Sequence, residues 1–204
     1  MNGRAAVFLD RDGVLNEFVR DPVSGVPDSP FRVEDVCLID GAAAAAARLT
    51  RAGFILACVS NQPAAAKGKA STKQLLAVHA RVVELLAREG VELDVSRLCW
   101  HHPEGIVPEL SIKCHCRKPD PGMLLDAARE MGIDLSASWM VGDSDTDVAA
   151  GCAAGCRTVL IEYGCTSHKR TSSARPDLHA SDLQMGVERL LGEVKSGTFE
   201  PATL

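Results

Sequence analysis

Four short, mostly apolar runs, residues 5–9, 54–59, 138–141 and 157–161, each lie beside a segment with helical periodicity. Strands separated by helices cannot pair through tight turns. They need crossovers, which bring them side by side in parallel. The pattern predicts an α/β fold, a Rossmann-like parallel sheet with helices on both faces.

The first strand, 5–9, ends on Asp10. An alanine-rich helix follows over 41–52 and stops at Gly53, and the strand 54–59 runs into Ser60-Asn61-Gln62-Pro63. Ser71 or Thr72 caps a long helix reaching Glu89, with Leu75, Val78, Val82 and Leu86 on its inner face. A strand-like segment near 95–100 enters a cysteine- and histidine-rich stretch. Pro121 opens a helix over 123–131 that Gly132 closes. The strand 138–141 leads to Gly142-Asp143, a short helix reaches Ala153, and 182–191 reads as a last helix. No insertion is long enough for a large cap domain, the longest connection being 16–39. One domain, 1–192, with a loose tail over 193–204, is expected.

The 204 residues are 46% hydrophobic and 24% charged, which excludes a disordered chain. No stretch approaches the ~18 apolar residues of a membrane helix. The first residues run into a strand without a secretory pattern. With 22 basic and 27 acidic residues the net charge is −5, so there is no basic footprint for nucleic acid or an anionic membrane. A cytoplasmic protein, a monomer, is expected. Eight cysteines are about 4% of the chain, below the ~8–10% of a disulfide scaffold. No structural disulfide is expected, and the cysteines outside the histidine-rich stretch, Cys37 and Cys58 among them, read as small buried hydrophobes.

Polar groups fall at the ends of three strands: Asp10 and Asp12, Ser60 and Asn61, Asp143 and Asp147. In an open parallel sheet, ligands bind in the crevice outside those ends. One aspartate after a strand is a common turn or cap residue. Three coincident strand ends, more than 130 residues apart in sequence, point to a site. In Asp10-Arg11-Asp12-Gly13 one carboxylate can attack while the other handles a proton. Asp10, Asp12 and Asp143 need a cation to stand close together, and hard oxygen ligands suit Mg²⁺. Asp147 orients or supplements that site. Lys118 adds a fixed charge and Arg117 a planar fork for phosphate. Together these groups describe phosphoryl transfer.

Cys99-x-His101 and Cys114-x-Cys116 offer four ligands on two arms, suited to a closed, structural Zn²⁺ site that pins the loop 99–116. His102 and His115 are alternatives by spacing.

Phe8-Leu9-Asp10-Arg11-Asp12-Gly13-Val14, Val59-Ser60-Asn61, Lys118-Pro119 and Val141-Gly142-Asp143-Ser144-Asp145-Thr146-Asp147 resemble, in order and spacing, the four motifs of the haloacid dehalogenase-like phosphatases. Within that group the chain is similar, over roughly 7–191, to the heptose bisphosphate phosphatases and their relatives the histidinol-phosphate phosphatases. The resemblance implies that Asp10 is the nucleophile and forms an aspartyl-phosphate. It implies that Asp12 is the acid and base, and that its backbone carbonyl binds Mg²⁺ beside Asp10 and Asp143. Ser60, Asn61 and Lys118 would hold the phosphoryl group and Arg117 would face the rest of a small phosphorylated sugar. It also favours Cys99, His101, Cys114 and Cys116 as the zinc ligands.

The chain departs from the family at Pro63-Ala64-Ala65-Ala66-Lys67, at Ser144, where many members carry lysine, and in a long segment 18–31. All three segments are expected at the substrate mouth, with Lys67 in reach of substrate. The readings to separate are a heptose 1,7-bisphosphate 7-phosphatase, a histidinol-phosphate phosphatase, and a zinc-stabilised binding module with a dead site.

Overall fold

The computed structural model describes residues 3–20, 25–170 and 175–196. Among the described residues eight strands are present: β1 Ala6–Leu9, β2 Val19–Arg20, β3 Pro27–Asp28, β4 Ile55–Asn61, β5 Val95–Cys99, β6 Trp139–Gly142, β7 Arg157–Ile161 and β8 Leu178–Ala180. The five α-helices are α1 Ala42–Arg51, α2 Thr72–Arg88, α3 Gly122–Met131, α4 Asp145–Ala154 and α5 Leu183–Lys195. Six strands form one parallel sheet in the order β5-β4-β1-β6-β7-β8, and β2 pairs with β3 as a small antiparallel hairpin. The Rossmann-like parallel sheet expected from the alternation is therefore present.

The central strands are apolar along their whole length because each side chain alternates between two cores. Val7 and Leu9 of β1, Leu56 and Cys58 of β4, and Trp139 and Val141 of β6 join the layer covered by α1, α2 and α5. Phe8, Ala57, Val59 and Met140 face the opposite layer, where α3 and α4 supply Met123, Leu124, Ala127 and Ala150. Ser71 accepts from the Gln74 backbone N–H, and the Gln74 side chain accepts from the Ser71 N–H, a capping box that starts α2 where the sequence places it.

Three elements escaped the sequence reading. The strand β8 has three residues, and the hairpin strands have two each, too short for any alternation to register. Helix α5 runs to Lys195, past the expected start of the tail at 193, because Val194 still packs against the core. Residues 197–204 lie outside the described residues. The cysteines need correction: Cys58 and Cys156 are buried, but Cys37 and Cys152 are exposed and Cys165 is half-buried. Cys152 sits on the outer face of α4, opposite the buried Ala150 and Ala154, where helical phase overrides its apolar character. No two of the eight cysteines are bonded to each other. Among the described residues, no helix is long and apolar enough to cross a membrane.

Candidate active site

The chain leaves β1 toward β4 and β5 on one side and returns to β6 and β7 on the other. The crevice beyond the ends of β1 and β6 is thus a topological switch point, where an open parallel sheet offers a binding site. The backbone N–H of Asp10 donates to the Val141 carbonyl at 2.9 Å, so the two strand ends are tied. A cavity of about 450 Å³ opens there, lined by Asp10, Asp12, Ser60, Asn61, Arg117, Lys118, Asp143, Ser144, Asp147 and Lys67 among others. Residues at the ends of β1, β4 and β6, and of the loop after β5, are therefore brought to one place. Phe18, Pro27, Asp28, Ser29 and Pro63 line the same cavity, so segments 18–31 and 63–67 do reach its mouth.

Lys118 is the hub. Its buried ammonium stands 3.0 Å from Asp10 Oδ1 and 2.5 Å from Asp147 Oδ1, and donates to the Val59 carbonyl at 2.7 Å. Three partners match its three donors. Burial alone would lower its pKa, but the carboxylates of Asp10 and Asp147 more than reverse that, and the lysine stays charged.

Carboxyl oxygens of Asp10, Asp143 and Asp147 lie within 4.8 Å of one another. Burial, then the neighbouring Asp10 and Asp147 charges, push Asp143 up to about 8. Burial also raises Asp10, against the pull of Lys118. Asp143 Oδ2 is buried and has no hydrogen-bond partner. Crowded carboxylates with an orphaned oxygen are the donor set a hard divalent cation fits. The sequence grouped the Asp12 carboxylate with Asp10 and Asp143 and left Asp147 to orient or supplement the site, whereas the fold replaces the Asp12 carboxylate in the cluster with that of Asp147. In the fold Asp147 is a full member, held by Ser144, whose hydroxyl and backbone N–H donate to Asp147 Oδ2 at 2.5 and 3.1 Å.

The Asp12 carboxylate turns away into a cage of its own. Arg11 donates to both its oxygens (2.9 and 3.0 Å from one nitrogen), Asn16 to Oδ1 at 2.9 Å, and Gln62 and Ser29 to Oδ2 at 2.6 and 2.9 Å. Burial alone would raise its pKa, but Arg11, Asn16 and Gln62 outweigh it and hold Asp12 below the ordinary carboxylate value. Arg11 is fully buried. None of these partners was legible in the sequence, apart from Arg11 sitting beside Asp12.

Ser60 is buried and accepts from Gln62 at 3.1 Å. Asn61 grips the backbone of Lys118 through its side-chain oxygen and nitrogen. Asn61 and Cys99 are register partners on β4 and β5, which sets the cysteine cluster against the site. Its Sγ atoms are 3.3 Å (Cys99–Cys116), 3.3 Å (Cys114–Cys116) and 3.7 Å (Cys99–Cys114) apart, and His101 Nδ1 is 3.4 Å from Cys116. A tetrahedron with Zn–S near 2.3 Å and Zn–N near 2.0 Å has edges of about 3.5–3.8 Å, so the four atoms form a compact donor set, somewhat tighter than those edges, of the kind that can hold a metal ion. His102 accepts from the Glu104 backbone and His115 pairs with Asp126 at 3.5 Å, both apart from the cluster. Arg117 donates to the His101 carbonyl at 3.3 Å and so ties the cluster to the cavity wall.

A family model described as HAD-hydrolase-like matches residues 115–185. The chain is 40% identical over 163 residues to the D-glycero-beta-D-manno-heptose-1,7-bisphosphate 7-phosphatase of Yersinia pestis, covering 78% of this chain and 81% of the relative. It is 39% identical over 193 residues to the D-glycero-D-manno-heptose-1,7-bisphosphate 7-phosphatase of Thermosynechococcus vestitus, covering 91% and 94%. The chain belongs to the heptose bisphosphate phosphatase family of haloacid dehalogenase-like enzymes. A crystal structure of the D,D-heptose 1,7-bisphosphate phosphatase of B. bronchiseptica, complexed with magnesium and phosphate, superposes with a TM-score of 0.75 at 32% identity, over 93% of this chain and 99% of that one. As a member of this phosphatase family, the chain is a phosphoester hydrolase.

Proposed function

We propose that residues 1–192 form a Mg²⁺-dependent phosphatase domain that removes the 7-phosphate of D-glycero-D-manno-heptose 1,7-bisphosphate through an aspartyl-phosphate on Asp10. The observation that carries the reading is the meeting of Asp10, Asp143, Asp147 and Lys118 beyond β1 and β6, at the floor of one cavity. The names of the relatives supply the sugar.

Asp10 attacks phosphorus, and the bond from phosphorus to the sugar oxygen breaks. Lys118 orients Asp10 through Oδ1 and offsets charge on the transferring group. Asp12 gives a proton to the leaving oxygen and then takes one from the water that cleaves the aspartyl-phosphate. Its cage favours the carboxylate that takes the proton of the water in the second half-reaction, and the proton gained there is the one it gives to the leaving oxygen in the next turnover. Ser60 faces the phosphoryl group, Asn61 positions Lys118, and Arg117 faces the sugar. Asp10, Asp143 and the Asp12 carbonyl would hold Mg²⁺, with Asp147 beside them. When bound, the ion supplies positive charge to a phosphoryl group that otherwise meets three carboxylates. Cys99, His101, Cys114 and Cys116 hold a structural Zn²⁺. The enzyme works in the cytoplasm as a monomer on a small sugar phosphate, and the net charge of −5 argues against a nucleic-acid or membrane partner.

The test is phosphate release with Mg²⁺ from both anomers of the heptose bisphosphate and from histidinol phosphate in parallel. Preference for one bisphosphate anomer is expected. Faster release from histidinol phosphate overturns the sugar assignment, and silence on all three overturns the substrate class. Asp10→Asn is expected to lose about four orders of magnitude of turnover while keeping its far-UV spectrum.

A further inference from the structure

Lys118 is neutralised by Asp10 and Asp147, yet the cavity holds three more cations, Lys67, Arg117 and Lys169. Among the described residues no carboxylate stands within ion-pair distance of any of the three, although the Lys169 charge is felt at Asp143. Sheet order places them on both sides of the nucleophile. Lys67 and Arg117 follow β4 and β5, while Lys169 ends the turn Gly164–Lys169 that follows β7. A floor that takes one phosphoryl group does not account for charge on both walls.

Lys169 is exposed but not left to wander. Its Nζ lies 4.7 Å from the centre of the Phe18 ring, and that ring packs on Tyr163 at 6.0 Å. The Tyr163 hydroxyl donates to Glu17, so the wall is clasped from both strands of chain. An ammonium held over an aromatic face is desolvated on one side and oriented, at little entropic cost. A phosphate offers it a stronger, charge-assisted hydrogen bond than the ring does.

We propose that Lys169 is a specificity-determining residue whose ammonium takes the second anionic group of the substrate, the phosphate that is retained. Lys67 and Arg117 approach the same ligand from the other wall. Phe18 acts through Lys169 as a positioning residue. The inference rests on the bisphosphate reading above and assigns it a residue from a segment, 163–169, that the motifs do not include.

Lys169→Met keeps the apolar stem against Phe18 and removes the charge, while Lys169→Arg keeps the charge. Kinetics on the heptose 1,7-bisphosphate and on heptose 7-phosphate, with product inhibition by heptose 1-phosphate, read the effect. The ratio of kcat/KM, bisphosphate over monophosphate, is expected to fall at least tenfold in Lys169→Met, mostly through KM. Inhibition by heptose 1-phosphate weakens in step, and Lys169→Arg restores both. A preference that survives in Lys169→Met within twofold overturns this assignment alone. A wild-type enzyme that does not distinguish the two substrates overturns the bisphosphate reading and this assignment together.

Discussion

The side-chain amide of Asn61 holds the backbone of Lys118 at both ends: its Nδ2 donates to the Lys118 carbonyl at 3.0 Å and its Oδ1 accepts the Lys118 N–H at 3.1 Å. Fifty-seven residues separate them in sequence. A group that binds the backbone of Lys118 sets where its ammonium meets Asp10.

Asn61→Ala removes both bonds, each worth about 1 kcal/mol net. Stability is expected to fall by about 2 kcal/mol in denaturant titration. Turnover is expected to fall ten- to a hundredfold through kcat, because the lysine is mispositioned while the cavity that takes substrate persists. A change confined to KM would assign Asn61 to substrate contact instead.

Gly13 sits at φ +86°, and a Cβ there would come within 2.4 Å of Asp143 Oδ2 and 2.8 Å of the Phe18 ring. Gly13→Ala is therefore expected to displace Asp143 and raise the Mg²⁺ concentration for half-maximal activity at least tenfold. Calorimetric titration with Mg²⁺ in the absence of substrate checks it independently of turnover.

One zinc per chain is expected by elemental analysis. Burial first, and then the neighbouring thiols, push the Cys116 thiol up, so without a metal Cys116 keeps its proton and the crosslink is lost. Cys116→Ser is expected to lose the metal and more than about 3 kcal/mol of stability. Cys37→Ser, at an exposed site, is expected to change neither.

His79 lies on α2, buried, with Nδ1 unpartnered. Burial, with the Arg11 charge in support, lowers its pKa from 6.5 to about 4. The unfolded chain therefore binds a proton first as pH falls. His79 favours folding fully above pH 6.5, and that contribution drains away between about 6.5 and 4, by up to about 3 kcal/mol. His79→Gln is expected to flatten the loss of stability between pH 7.5 and 5, measured by denaturant unfolding.

The fold was legible because hydrophobic periodicity is local. Residues 5–9 and 54–59 read as fully buried strands from their own composition, and Ser71 and Gly132 marked helix ends by their own chemistry. The meeting of Asp10 and Asp143 was legible because strand ends in a parallel sheet converge, while Lys118 reaches them from the loop after β5. The two-residue strands and Cys152 were not, since a hairpin that short has no period and a lone cysteine does not reveal its helical phase.

What the sequence by itself determined is the layer order of helix and sheet and the set of groups delivered to its edge. Tertiary structure alone decided how those groups pair. The order β5-β4-β1-β6-β7-β8 closes Asp12 into a cage with Ser29 and Gln62 and draws Asp147 onto Lys118. The same order leaves His102 and His115 outside the cysteine cluster and sets Lys169 over Phe18. Burial of apolar surface is additive along the chain and can be read residue by residue. A buried polar group is satisfied by one partner at one distance and angle, and that partner comes from elsewhere in the chain.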